Sequence, residues 1–93
     1  MVVGVIGWEL EIPGCQSLKD KRAVVKSLKD RLHDRFNVSV AETAHHDAWQ
    51  RAELTAALVA SDRRQADSVL AKVDAFIASE PRARIIDSYR SFV

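Results

Sequence analysis

The feature that most constrains the fold is the order in which two hydrophobic periods alternate along the chain. Runs in which every second residue is apolar are typical of half-buried strands, and runs with three- and four-residue spacing are typical of amphipathic helices. This pattern predicts a helix over 17–36 and another that begins at Ser61 or Asp62 and ends before Pro81. The predicted strands cover 2–12, 38–44, 51–60 and 82–92.

The third predicted strand, Arg51–Ala60, is rich in alanine, so its composition also suits a helix. Its period of two and its position after a short loop favour a strand. Two right-handed crossovers and one hairpin then give an α+β, ferredoxin-like sandwich, a four-stranded antiparallel sheet with two helices on one face. We expect a single domain over residues 1–93. The pattern leaves open which face of the last strand is buried.

Composition excludes several classes of protein. With 47% hydrophobic and 29% charged residues, the chain is globular. A net charge of +1 excludes a globally basic nucleic-acid binder, so any attraction to an anion must come from uneven charge distribution. The single cysteine, Cys15, excludes an intrachain disulfide. Because the apolar N-terminus is broken by glycine and glutamate and lacks a basic start, we expect a soluble cytoplasmic protein without a membrane span.

The first predicted helix carries its charges unevenly. At about 100° per residue, four cations fall within an arc of about 80° beside the apolar stripe. Cations in the first turns oppose the helix dipole, so helix stability alone does not favour them. The arc is either a surface that contacts phosphates or a solvated helix face. We call it the basic stripe, and it contains Lys19, Arg22, Lys26 and Lys29, with Asp20, Asp30 and Asp34 expected on the far side.

Lys21 differs from these cations because it points into the apolar arc of the same helix. Glu42 shares the core-facing parity of Val38 and Val40 in the second predicted strand. In the predicted topology the end of that strand comes near the first turns of the helix. We therefore predict a structural ion pair between Lys21 and Glu42, and favour it over a catalytic lysine.

The pair His45 and His46, followed by Asp47, has the residue types of a metal site. Neighbouring side chains on extended backbone point to opposite sides, however, and a third ligand with supporting spacing is missing. We therefore expect no metal and no cofactor. The chain also lacks a glycine-rich phosphate loop and a Ser/His/Asp grouping, so we expect that it is not an enzyme.

Trp49 and Arg51 stand at the entrance to the third predicted strand. An aromatic ring beside a guanidinium suits base stacking and phosphate binding. The alternative is that Trp49 closes the open end of the sandwich by packing against Trp8.

The sheet face away from the helices is predicted to carry small apolar residues. Without aromatic residues on its first and third strands, it does not fit the base-stacking mode of RNA-recognition motifs. Such a face suits packing against a second copy, so a homodimer is the alternative to RNA binding. We call these residues the apolar patch, and they are Val3, Val5, Ala57 and Val59.

The segments SLKDKRAVVKSLKDRLHDRFNVSVAE, at 17–42, and WQRAEL, at 49–54, resemble the YlxP-like family of small bacterial proteins. The resemblance covers essentially the whole chain and implies a ferredoxin-like fold, a bacterial cytoplasmic setting and an uncharacterised activity. Genes of the family often stand near those for translation and ribosome maturation factors. We therefore expect a non-catalytic RNA- or ribosome-associated protein that binds through the basic stripe, with Trp49 and Arg51 as additions. The residues that match the family motifs are Lys19, Lys21, Arg22, Glu42, Asp47, Trp49, Gln50 and Arg51.

Overall fold

The computed structural model describes residues 1–93 and has four strands and two helices in the predicted order. The third strand has the predicted bounds, and the other elements differ from the prediction by one or two residues at their ends. The elements are β1 (Val2–Glu11), α1 (Leu18–Arg35), β2 (Ser39–Ala44), β3 (Arg51–Ala60), α2 (Arg63–Ala78) and β4 (Arg84–Phe92). Neither helix is both long and apolar enough to cross a bilayer.

The four strands form one antiparallel sheet in the order β2-β3-β1-β4. β1 and β3 pair without interruption from Val2 opposite Ala60 to Glu11 opposite Arg51. Both helices pack on one face of this sheet, since buried residues of both belong to a single core with the alternate residues of β1 and β3. This arrangement is the predicted ferredoxin-like sandwich.

Side chains next to each helix satisfy backbone N–H groups of its first turn. Ser17 Oγ accepts a hydrogen bond from Asp20 N at 3.0 Å, which fixes the start of α1. Asp62, one of the two predicted caps, accepts from Gln65 N at 2.8 Å at the start of α2. Such caps typically contribute about 1 kcal/mol each, so the starts of both helices are well defined by the sequence.

The core contains 19 buried hydrophobic residues. Trp8 is its largest fully buried side chain, and its indole Nε1 donates to Asp74 Oδ1 of α2 at 2.8 Å. This bond satisfies the one polar group that the indole brings into the core. It also ties α2 to the centre of β1.

The pairing of β4 with β1 shows which residues of the last strand face the helices, a point that the sequence pattern left open. Tyr89 lies opposite Gly7 and therefore on the face away from the helices, whereas Phe92 lies opposite Gly4 and packs against the core. The register shifts after Glu9, so Ile86 is an extra residue in β4. Such a bulge reverses the alternation of side chains, which explains why parity alone could not assign the two faces.

Candidate nucleic-acid interface

The basic stripe lies along one flank of α1. The apolar face of the helix is anchored on the sheet by Val24, Val25 and Leu28, among others. On the opposite flank, Ser27 and Arg31 contact Arg82 and Glu80, which follow α2 in the chain. The stripe is therefore on the flank of α1 that faces away from α2. Three of its members, Lys19, Arg22 and Lys26, are exposed, and Lys29 is half-buried.

Of the four cations of the basic stripe, one has an acidic partner. Lys26 Nζ lies 2.5 Å from Asp30 Oδ2, one turn further along the exposed surface. This hydrogen bond raises the pKa of Lys26 and lowers that of Asp30. Lys19, Arg22 and Lys29 have no carboxylate within 4.0 Å. The stripe therefore offers three cations without an acidic partner.

Asp30, predicted on the far side of α1, is exposed and pairs with Lys26 of the basic stripe. Residues four apart on a helix are neighbours, so Asp30 is directly beside Lys26 although their directions differ by about 40° at 100° per residue. One of the four positive charges is thus largely balanced within the helix itself.

Lys21 is fully buried, with 0% of its surface exposed. Its Nζ donates to Glu42 Oε2 at 2.8 Å, to the His45 carbonyl at 2.8 Å and to the His46 carbonyl at 3.1 Å. With a fourth, longer contact to the Arg51 carbonyl at 3.5 Å, these acceptors satisfy all three protons of the ammonium group. The predicted ion pair is thus present, and it ties the first turns of α1 to the loop between β2 and β3.

The loop between β2 and β3 is held from two further sides. Gln50 Nε2 donates to the Cys15 carbonyl at 3.1 Å, and Ile12 N donates to the Gln50 carbonyl at 2.9 Å. His45 has a positive φ of 64°, and its ring Nε2 lies 2.8 Å from Glu9 Oε1. Gln50 of the WQR motif therefore joins this loop to the loop before α1.

The two adjacent histidines have separate partners. Nε2 of His46 lies 2.9 Å from the Glu42 carbonyl, whereas the His45 ring contacts Glu9. The structure therefore does not direct the two rings toward a common point.

Arg51 and the basic stripe lie on opposite sides of the sheet. Arg51 Nη2 donates to Glu9 Oε2 at 3.0 Å, and Glu9 stands between the core residues Trp8 and Leu10, so it points away from the helices. The hydrogen bonds from Arg51 and then from His45 hold the pKa of Glu9 below its usual range. The structure thus does not bring Arg51 together with the stripe.

Trp49 lies at the same end of the molecule as the first turns of α1, in the loop that Lys21 contacts. Its side chain is 53% exposed, which leaves much of the ring accessible. Trp8, the partner suggested for it by one of the two interpretations, is fully buried and bonded to Asp74.

The apolar patch lies on the face of the sheet away from the helices. Val3 pairs with Val59 and Val5 pairs with Ala57 across β1 and β3, so the four side chains form one block. Val59 is 69% exposed, and the other three are half-buried.

Tyr89 is a residue on this face that the sequence did not assign. A Cβ placed on Gly7 would overlap Cε1 of Tyr89, so the ring rests directly on the backbone of β1. A glycine inside a strand indicates that another group approaches closely, and this signal was present at Gly7.

Substitution of Gly7 by alanine is expected to displace the Tyr89 ring with a change in unfolding free energy below about 1 kcal/mol. The ring is the exposed end of its side chain and can move away. Loss of a cross-strand contact lowers the free energy of unfolding by about 0.2–1 kcal/mol. Replacement of a glycine inside a strand by alanine raises it by a similar amount. Urea denaturation measures the balance, and the chemical shifts of the Tyr89 ring report its position. A loss of several kcal/mol would show that the ring cannot move.

The sequence also missed a cluster around Glu80. The Glu80 carboxylate is 3% exposed and accepts hydrogen bonds from Arg31 Nη2 and, at 2.8 Å, from Arg82 Nη2. The bond from Arg82, with that from Arg31, lowers the pKa of Glu80 from 4.5 to about 2. The Arg31 guanidinium also lies 5.4 Å from the centre of the Phe76 ring. No local pattern predicts these contacts, because Arg31 and Glu80 are 49 positions apart.

The structure defines a small ferredoxin-like α+β protein with a basic flank on its first helix and an apolar patch on its open sheet face. Its sequence matches the family model described as "Protein of unknown function (DUF503)" over residues 3–90. The chain belongs to this family. It is 41% identical over 80 residues to the "Uncharacterized protein YlxP" of Bacillus subtilis (strain 168), a match that covers 86% of this chain and 87% of the relative. The predicted membership of a YlxP-like family is confirmed.

Proposed function

We propose that this protein is a non-catalytic cytoplasmic factor that binds RNA, in particular ribosomal RNA, through the basic stripe. The observation that carries the proposal is the group of three cations, Lys19, Arg22 and Lys29, that lie on one flank of α1 without acidic partners. Lys19 and Arg22 also stand in the first turns, where the helix dipole opposes positive charge. A role in binding an anion accounts for cations at these positions.

The length of the stripe suits a nucleic-acid strand. Lys19 and Lys29 are ten residues apart, which corresponds to about 15 Å of helix at 1.5 Å per residue. A duplex presents a phosphate about every 3.4 Å along each strand, so several phosphates fall within reach. Such contacts fix position and carry no sequence information directly. The gene neighbourhood implied by the family resemblance favours RNA of the translation machinery.

Trp49 extends the proposed interface beyond the stripe. Stacking of a base on an exposed aromatic ring contributes about 1–3 kcal/mol and tolerates any sequence. Because Lys21 holds the β2–β3 loop against α1, Trp49 is kept at the end of the helix where Lys19 and Arg22 lie. Arg51 is bonded to Glu9 on the other side of the sheet, so it is not part of this interface.

RNA affinity is expected to fall with salt and to depend on the stripe. Three phosphate contacts predict a slope of about −2 for the logarithm of affinity against the logarithm of salt concentration on a single strand. Fluorescence anisotropy with a labelled single-stranded RNA measures this slope. Substitution of both Lys19 and Arg22 by glutamate should weaken binding at least about tenfold, a difference of about 1.4 kcal/mol.

The matched control for this experiment is the substitution of Arg64 and Lys72 by glutamate. Both residues are exposed on α2, have no acidic partner, and give the same change in net charge. This control should bind RNA nearly as well as the natural protein. Equal loss of affinity in the two variants would show that only the total charge matters, and would contradict the stripe as the interface.

A second candidate function is a homodimeric interaction module that uses the apolar patch. The observation in its favour is Val59, a large apolar side chain that is 69% exposed beside Val3 and Ala57. Substitution of Val59 by glutamate should convert a dimer into a monomer in light scattering over a range of protein concentrations. A natural protein that remains monomeric at high concentration would contradict this function. The two functions are compatible, since their surfaces lie on opposite sides of the sheet.

A further inference from the structure

A cavity of about 430 Å³ lies between the loop that precedes α1 and the loop that joins α2 to β4. Its surface is mainly apolar, with Ile12, Cys15 and Val24 buried and Pro81 exposed. Both its volume and its mainly apolar wall are within the range of small-molecule sites. Asp20, Ala23 and Val24 line it from α1, and none of the four residues of the basic stripe does.

Arg82 lines this cavity and has a donor group without a partner in the protein. Glu80 accepts from Arg82 Nη2 at 2.8 Å and from Nε at 3.4 Å, and Ser27 Oγ accepts from Nη2 at 3.2 Å. Nη1 has no acceptor within the protein. The guanidinium is thus held in place on one side and free on the other. A held guanidinium of this kind is suited to a carboxylate, because less side-chain freedom is lost when the ligand binds.

Asp20 provides the opposite charge in the same cavity. Its Oδ2 accepts only a long bond from Gln16 N, at 3.3 Å, and its Oδ1 has no partner. Although Asp20 and Arg82 line one cavity, their charged groups are not within 4.0 Å of each other. A simple anion is attracted by Arg82 but repelled by Asp20. A ligand with one positive and one negative group satisfies both.

Cys15 forms part of the apolar wall. Its side chain is buried, and burial is the main cause that raises the pKa of its thiol. The thiol is therefore neutral and packs as a small apolar group, since a reactive cysteine requires a stabilised thiolate. The cavity thus has the composition of a binding site, without a nucleophile.

We propose that this cavity binds a small zwitterion, an α-amino acid with an apolar side chain. The carboxylate is accepted by Arg82, the ammonium group by Asp20, and the side chain lies against Ile12 and Val24. This site is separate from the proposed RNA interface, so either proposal can fail without the other.

The test is a titration of the natural protein with L-leucine, followed by amide chemical shifts in NMR spectra. Saturable shifts are expected at Cys15, Ala23 and Arg82. N-acetylleucine lacks the positive charge and leucinamide lacks the negative one, so each should bind at least about tenfold more weakly than leucine. The absence of saturable shifts with leucine at millimolar concentrations would overturn the proposal. Equal affinity for leucine and both analogues would overturn it too, because the two charges would then have no role.

Substitution of Ala23 by phenylalanine places a large side chain at this cavity and should abolish the shifts. Ala71 is an exposed alanine of α2, and its substitution by phenylalanine is the matched control, which should bind leucine normally. Circular dichroism verifies that both variants fold. Unchanged leucine binding by the Ala23→Phe variant would place the ligand elsewhere and contradict the assignment of this cavity.

Discussion

Replacement of Lys21 by methionine is expected to lower the free energy of unfolding by about 3–5 kcal/mol, the usual cost of breaking a buried ion pair. Methionine has a similar length, so the core loses little packing. Glu42 then keeps a negative charge without its partner in a largely buried position. The carbonyls of His45 and His46 also lose the donor that holds their loop. Urea denaturation measures the effect.

A second substitution separates the ion pair from the packing around it. Changing Glu42 to glutamine in the Lys21→Met protein should restore part of the lost stability, because the uncompensated charge is removed. Replacement of Lys26 by methionine removes an ion pair that is fully exposed, so this control should change stability little. A Lys21→Met protein as stable as the Lys26→Met protein would contradict the structural role of Lys21.

Replacement of Glu80 by glutamine is expected to cost about 3 kcal/mol at neutral pH, and the cost should disappear in acid. The folded-state pKa of Glu80 is about 2, against 4.5 for the ordinary group. A lowered pKa stabilises the folded state above pH 4.5, and this contribution is lost as the pH falls from about 4.5 to about 2. At about 1.4 kcal/mol per pH unit, the difference in pKa corresponds to about 3 kcal/mol.

Stability against pH, measured for the natural protein and the Glu80→Gln variant, tests this expectation. The two curves should be fully separated above about pH 5, approach each other as the pH falls below about 4.5, and converge only near pH 2. Glu11, which pairs with Arg84 on the exposed side of the sheet, gives the control, and its substitution by glutamine should have little effect at any pH. Parallel curves for the natural protein and the Glu80→Gln variant would show that the carboxylate of Glu80 does not hold Arg31 and Arg82.

Much of the fold followed from local pattern. The alternation in Arg51–Ala60 correctly predicted a strand, although the alanine content of this run also suited a helix. Ser17 and Asp62 mark the helix starts because their side chains bond to backbone groups only three residues away. The Lys21–Glu42 contact followed from a charged residue in an apolar arc and one on the core side of a strand. The helix starts are readable because the bonded groups are close in sequence, and the ion pair because each of its charged residues stands at an apolar position of its own element.

The features that could not be predicted from the sequence depend on contacts between residues that are far apart in the chain. The bulge at Ile86 shifts the parity of β4, so Tyr89 could not be placed over Gly7 by alternation. Glu80 meets Arg31 only because the two helices lie side by side. Arg51 and the basic stripe are separated because they lie on opposite sides of the sheet, which only the three-dimensional structure shows.

The most direct test of the RNA-binding account is co-sedimentation of the protein with ribosomal subunits at low and moderate salt. The natural protein is compared with a variant in which Lys19, Arg22, Lys26 and Lys29 are replaced by glutamate, and with the Arg64 and Lys72 control. The account predicts that the natural protein and the control sediment with the subunits at low salt and are released at moderate salt, and that the stripe variant binds at neither. Equal binding by the stripe variant, or binding by the natural protein that salt does not weaken, would contradict it.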